Sequence, residues 1–202
     1  CGQWNTLVEE LVQREDKAKV DYLWKDEGHK EQQKAHKINE VPMQQELRLI
    51  TPDSELNRVL GGGVVPGSVV LVAGEPGIGK STLFLQNALQ WQGVTTLYVS
   101  GEESAQQIKM RADRIGVRHE GVFVLNATEM NVIFQEIKKI KPQLVIIDSI
   151  QTLESSHIES AAGSVSQVRE CAAELQRFAK TAHVPVFIIG HITKDGSIAG
   201  PK

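Results

Sequence analysis

The chain has 202 residues, 41% of them hydrophobic, with a formal net charge of −3 and an isoelectric point near 6.1. That length fits one domain, or one domain plus an arm, and the charge excludes a general attraction to phosphate backbones, so nucleic-acid binding has to rest on a local patch. The two cysteines, Cys1 and Cys171, exclude a disulfide framework and suit a reducing cytoplasm.

No apolar stretch is long enough to span a bilayer, so no membrane partner is expected. The start, "CGQWNTLVEE", lacks an initiator Met and is neither basic nor continuously apolar, unlike a secretory signal. The end, "SIAGPK", carries no docking-helix pattern and no charged tail. A fragment of a longer chain is the expectation.

Residues 1–45 form one zone by composition. "QREDKAKVDYLWKDEGHKEQQKAHKINE" is charged, rich in Gln and Lys and poor in aliphatic residues, with no sustained apolar face. It is read as an arm or linker, against the alternative of a surface helix of the same domain. Residues 46–202 are read as the folded core.

After Pro52, Asp53 and Ser54 are N-cap candidates for a short helix over Asp53–Leu60, which Gly61, Gly62 and Gly63 stop. Strands and helices then alternate. "SVVLVAG" is an apolar strand expected to be buried on both faces. "KSTLFLQNALQWQ" is a helix and "TTLYVS" a strand. "SAQQIKMRADRIG" is a helix ended by Gly116, and "VFVL" is a short strand. "NVIFQEIKKI" is a helix that stops before Pro142. "LVIID" is a strand, "VSQVRECAAELQRFAKTA" a long amphipathic helix, and "PVFIIG" the last strand. The βαβ repetition over five strands predicts an α/β fold with a mostly parallel sheet and helices on both faces.

The first strand runs into "GEPGIGKST". Gly74, Gly79, Lys80 and Ser81 match G-x-x-x-x-G-K-[ST], and the motif sits between a buried strand and a helix, as a phosphate loop must. Glycines keep side chains out of the way while backbone N–H groups point at an anion, and the helix that follows offers its positive end. Gly74, Glu75, Pro76, Gly77, Ile78, Gly79, Lys80, Ser81 and Thr82 are therefore the predicted nucleotide-binding set. Lys80 can reach β and γ phosphates, the Ser81 hydroxyl can ligate Mg²⁺, and Thr82 is expected near the α-phosphate.

Asp148 ends "LVIID" at the carboxyl edge of the sheet, where open α/β sheets bind ligands. Beside a phosphate loop its expected task is to hold Mg²⁺ through water. Ser149 is the less certain neighbour.

Glu102 and Glu103 follow the second strand on the same edge. Hydrolysis needs a group that orients or deprotonates a water. Neighbouring residues in extended chain point to opposite faces, so one acid is expected to face the phosphate and the other to cap the helix that starts near Ser104. His191, directly after the last strand, is open between an ordinary polar contact and a γ-phosphate sensor.

In this order and spacing, "GEPGIGKSTL", "YVSGEES", "LVIIDSIQT" and "FIIGHITKDGSIAGPK" resemble the RadA (Sms) family of bacterial DNA-repair ATPases, relatives of the RecA recombinase and of hexameric replicative helicases. "CGQWNTLVEE" resembles the end of that family's four-cysteine zinc finger. The resemblance implies a RecA-type core in which the His191 strand lies between the phosphate-loop strand and the Asp148 strand. It assigns water activation to the Glu102–Glu103 position without separating the two, of which Glu102 is taken here as the base and Glu103 as support or helix cap, and it brings His191 close to the γ-phosphate. It implies DNA contact by the loop Ser149–Ser166 and by Lys194. It further implies a ring-forming, DNA-stimulated ATPase that uses ATP and Mg²⁺ and promotes branch migration in recombinational repair. The partners would be single-stranded DNA, recombination intermediates and RecA recombinase.

Cys1 matches the finger's fourth cysteine and stands alone, so no zinc is expected here. A Lys-Asn-Arg-Phe-Gly motif and a C-terminal protease-like domain of the family have no counterpart in the sequence, so weak hydrolysis by this chain alone is an expectation. Cys171 is expected to be a packing residue, as is Trp91, whereas Trp4 and Trp24 stay open between packing and base stacking. Arg111 and Arg114 share a helix face and are expected to be solvated. Two rival readings remain: a RecA/KaiC-type ATPase acting on protein partners, and a non-hydrolysing ATP switch.

Overall fold

A computed structural model describes residues 35–40 and 47–191. Cys1, Trp4, Trp24, Lys194 and nearly all of the arm lie outside the described residues.

The alternation expected from the sequence is present. The elements are α1 (Ser54–Val59), β1 (Val69–Gly74), α2 (Lys80–Gln90), β2 (Thr96–Ser100), α3 (Ala105–Ile115), β3 (Val122–Asn126), α4 (Met130–Ile140), β4 (Leu144–Asp148), α5 (Val165–Ala182) and β5 (Val186–His191). All strand pairs are parallel, in the order β1-β5-β4-β2-β3. The His191 strand does lie between the phosphate-loop strand and the Asp148 strand.

Strand alternation sorts the core into two layers. Leu97, Val99, Val145, Ile147 and Ile188 pack on α4 and α5 through Ile133, Phe134, Cys171, Leu175 and Phe178. Tyr98, Ile146, Phe187 and Ile189 face the other way, onto Phe84, Leu85 and Ile108 of α2 and α3. Cys171 and Trp91 are both buried, as expected of packing residues. Burial pushes the Cys171 thiol up to about 12, so it stays a neutral core group.

Caps follow local chemistry. The Asp53 side chain accepts from Leu56 N to start α1. Ser104 and Gln107 close a capping box on α3. The expectation that a glutamate caps α3 is thereby corrected: the shorter serine side chain already occupies that position.

The expectation that β1 is buried on both faces is also corrected. β1 is an edge strand of the described sheet, and Leu71 is 52% exposed. An apolar run reports that a strand is suited to burial, while sheet order decides which strands have neighbours on both sides.

Candidate functional site

Register lines up the strand ends. Gly74 pairs with His191, Asp148 with Ile189 and Ser100 with Asp148. The phosphate loop, His191, Asp148 and the Glu102–Glu103 turn therefore leave one carboxyl edge side by side, at the place where open parallel sheets bind ligands.

Gly79 is the N-cap of α2 with φ 96°, a left-handed value that a side chain disfavours. Lys80 is buried, and its Nζ donates to the carbonyl oxygens of Gly74 and Glu75, each at 2.8 Å. The loop thus closes around its own ammonium group, which stands at the mouth of the helix. Glu75, Pro76, Gly77 and Ile78 are exposed along the loop, and Thr82 is exposed on the first turn of α2.

Asp148 is buried, and its Oδ2 accepts from the Tyr98 hydroxyl at 2.5 Å. The same hydroxyl stands 3.4 Å from Ser81 O. Burial, followed by the Asp148 charge and hydrogen bond, pushes the Tyr98 phenol far above its ordinary range, so it donates at all working pH values. Tyr98 thereby bridges the two residues expected to serve Mg²⁺. A serine hydroxyl at the helix start and a buried carboxylate at the end of β4 are hard oxygen donors of the kind Mg²⁺ accepts along with water and phosphate, so these residue types fit the ion. Among the described residues no group of three or more His, Cys, Asp or Glu side chains forms a metal cluster of its own.

The turn after β2 separates the two acids. Glu103 N donates to Ser100 Oγ at 3.1 Å, and Asn126 Nδ2 donates to Ser100 O and Glu103 O at 3.1 and 2.9 Å. The Glu103 carboxylate takes both arms of Arg111, at 3.1 and 2.5 Å. The expectation that Arg111 is solvated is corrected by this pair, in which the Arg111 side chain is only 13% exposed. Arg114 is exposed, as expected. Glu102 turns to the opposite side: its Oε1 accepts from Ser149 Oγ at 2.7 Å and lies 3.4 Å from His191 Nε2.

The segment Ser149–Ser166 is not a free loop. It opens with a 3-10 turn, Ile150–Thr152, and Leu153 and Ser155 are buried. The buried Gln167 side chain accepts from Ser155 N at 2.9 Å and donates to Ser155 O, Ile158 O and Ser160 O. Glu154, Ser156, His157, Glu159, Ala161, Val165 and Ser166 are its exposed residues, and the segment contains no Lys or Arg.

Tyr98, Arg111 and Gln167 were missed as site or support residues. Tyr98 had one signal, a single phenol in the middle of a short strand. The others depend on partners that the chain brings close only after folding.

Residues 34–197 match the family model described as an AAA domain. The chain belongs to the AAA domain family. Across its full length this AAA domain chain is 50% identical, over 206 aligned residues, to DNA repair protein RadA of Bacillus subtilis, covering 44% of that protein. It is 44% identical over 203 residues to DNA repair protein RadA of Haemophilus influenzae, again 44% of that protein. The chain thus spans less than half the length of these relatives. Among solved structures, a KaiC-like protein of Pyrococcus horikoshii superposes with a TM-score of 0.59 at 20% identity, covering 75% of this chain and 73% of that one. That likeness supports the α/β P-loop fold and says nothing about what the AAA domain acts on. No helix among the described residues is long and apolar enough to cross a membrane.

Proposed function

We propose that this AAA domain binds and hydrolyses ATP within a DNA-repair ATPase, and that single-stranded DNA and recombination intermediates stimulate it to promote branch migration. The observation that carries the reading is the meeting of Lys80, Ser81, Asp148, Glu102 and His191 at one sheet edge. The similarity to proteins named DNA repair protein RadA supports the repair context.

In this reading the loop 74–79 binds the phosphates through backbone N–H groups, and Lys80 turns its ammonium from the loop carbonyls to the β and γ oxygens. Ser81 and Asp148 would hold Mg²⁺, which spreads the charge of the phosphate oxygens when bound. Glu102 orients the attacking water and takes up its proton, and Glu103 keeps the turn in place through Arg111. His191, beside Glu102, senses the γ-phosphate and passes its loss to the residues that follow it.

DNA contact by 149–166 would rest on hydroxyl and backbone groups, because its charged residues are Glu154 and Glu159. Ionic contact with phosphate falls to other residues, of which Lys194 is the candidate. A homo-oligomeric ring, RecA recombinase as partner and a cytoplasmic location complete the proposal.

The test is ATP turnover by the full natural protein with and without single-stranded DNA. Turnover is expected to rise with DNA and to vanish in Lys80→Ala. A rate indifferent to DNA contradicts the repair-motor reading, and full activity of Lys80→Ala contradicts the nucleotide site.

A further inference from the structure

The turn that follows β4 reaches two sides of the site. Ser149 is fully buried, and its hydroxyl donates to Glu102 Oε1 at 2.7 Å. His191 Nε2 approaches the same oxygen at 3.4 Å. Both contacts fall on Oε1, and Oε2 has no polar partner among the described residues. The Glu102 side chain is otherwise loosely held, being 49% exposed.

The turn itself is fixed. Thr152 Oγ1 donates to Ser149 O at 2.8 Å. The Gln151 carboxamide makes two bonds to the His191 backbone, donating to its O at 3.1 Å and accepting from its N at 3.4 Å. Gly101, the residue before Glu102, lies so near Thr152 that a Cβ there would overlap it. One short turn therefore grips the acid, the end of the His191 strand and the turn that carries the acid.

We propose that Ser149 is a positioning residue whose hydroxyl holds Glu102 by Oε1, presents Oε2 to the attacking water and ties that orientation to segment 149–166. The inference rests on the role proposed above for Glu102. A half-exposed carboxylate on rotatable bonds samples several rotamers, and one donor buried in the fold selects among them. A reacting group displaced by about 1 Å loses about 100-fold in rate. Because Ser149 is also the first residue of 149–166, a shift of that segment moves the acid directly.

The experiment measures ATP binding and steady-state turnover of the full natural protein in three variants. Ser149→Ala is expected to lower kcat about 10- to 100-fold with the KM for ATP unchanged. ATP binding at parental affinity reports that the variant is folded. Should Ser149→Ala lose binding, Ser149→Cys, near in size with only a weak donor, reads the same quantity. Parental kcat in the folded variant overturns the proposal, as does a loss carried wholly by KM. Glu102→Gln separates the two ideas. If it keeps parental turnover, the role of Glu102 fails and Ser149 falls with it. If it loses turnover while the Ser149 variant does not, Ser149 alone is overturned.

Discussion

Tyr98 shows how much one hydroxyl can hold. It donates to Asp148 Oδ2 at 2.5 Å inside the protein and lies near Ser81 O. A hydrogen bond to a buried charged group contributes about 1.5–3 kcal/mol, and its loss leaves the carboxylate short of a donor. Tyr98→Phe keeps the packing on α2 and removes only the oxygen. Its unfolding free energy in urea is expected to fall by about 1.5–3 kcal/mol, and an unchanged midpoint contradicts the bond's role. The two glutamates make the same point by contrast. They are adjacent in sequence, yet Glu103 is bound to Arg111 and Glu102 to Ser149. From the sequence, extended-chain alternation indicates that the two diverge. It does not give Arg111, eight residues beyond Glu103, or Ser149, just past the end of β4. The places of the 74–79 loop and of Asp148 at the carboxyl edge were readable because a glycine-rich strand-to-helix turn and a strand-ending acid are local patterns. Partners such as Tyr98 and Asp148, fifty residues apart, become neighbours only through strand register.

At the scale of the element, α5 is the support of segment 149–166. Gln167 matches its carboxamide to both Ser155 N and Ser155 O, and Glu174 accepts from Ser155 Oγ at 2.5 Å. A polar row on the buried face of an amphipathic helix looks like a flaw in the apolar pattern until the loop it satisfies is in view. Gln167→Leu keeps the volume but leaves a buried N–H without its acceptor, a cost of about 1–3 kcal/mol. Urea unfolding is expected to show that loss, together with faster proteolytic cleavage within 154–160. Parental stability and cleavage would mean that the segment holds itself. The elements themselves were largely legible, because βαβ units combine short apolar strands with amphipathic helices. The edge position of β1 was not, since the sequence of a strand carries no record of how many neighbours it acquires.

For the whole molecule, strand order decides which residues come together at the carboxyl edge. The order β1-β5-β4-β2-β3 inserts β5 and β4 between the phosphate loop and the acid turn. That places the Lys80 loop at one end of a row and Glu102 at the other, with His191 and Asp148 between them. Every member leaves the sheet at the same edge. The membership of the chain in the AAA domain family and its similarity to RadA proteins agree with such a row, and the resemblance read from the motifs anticipated the placement of β5. In the function proposed above, this edge hydrolyses ATP with Glu102 as the water-orienting base. Its most direct test is ATP binding and single-turnover hydrolysis by Glu102→Gln and Glu103→Gln in the full natural protein. Glu102→Gln is expected to bind ATP at parental affinity and to lose turnover by about 100-fold or more, while Glu103→Gln loses far less. Equal and mild losses in both variants would contradict it and return the pair to a solvated turn.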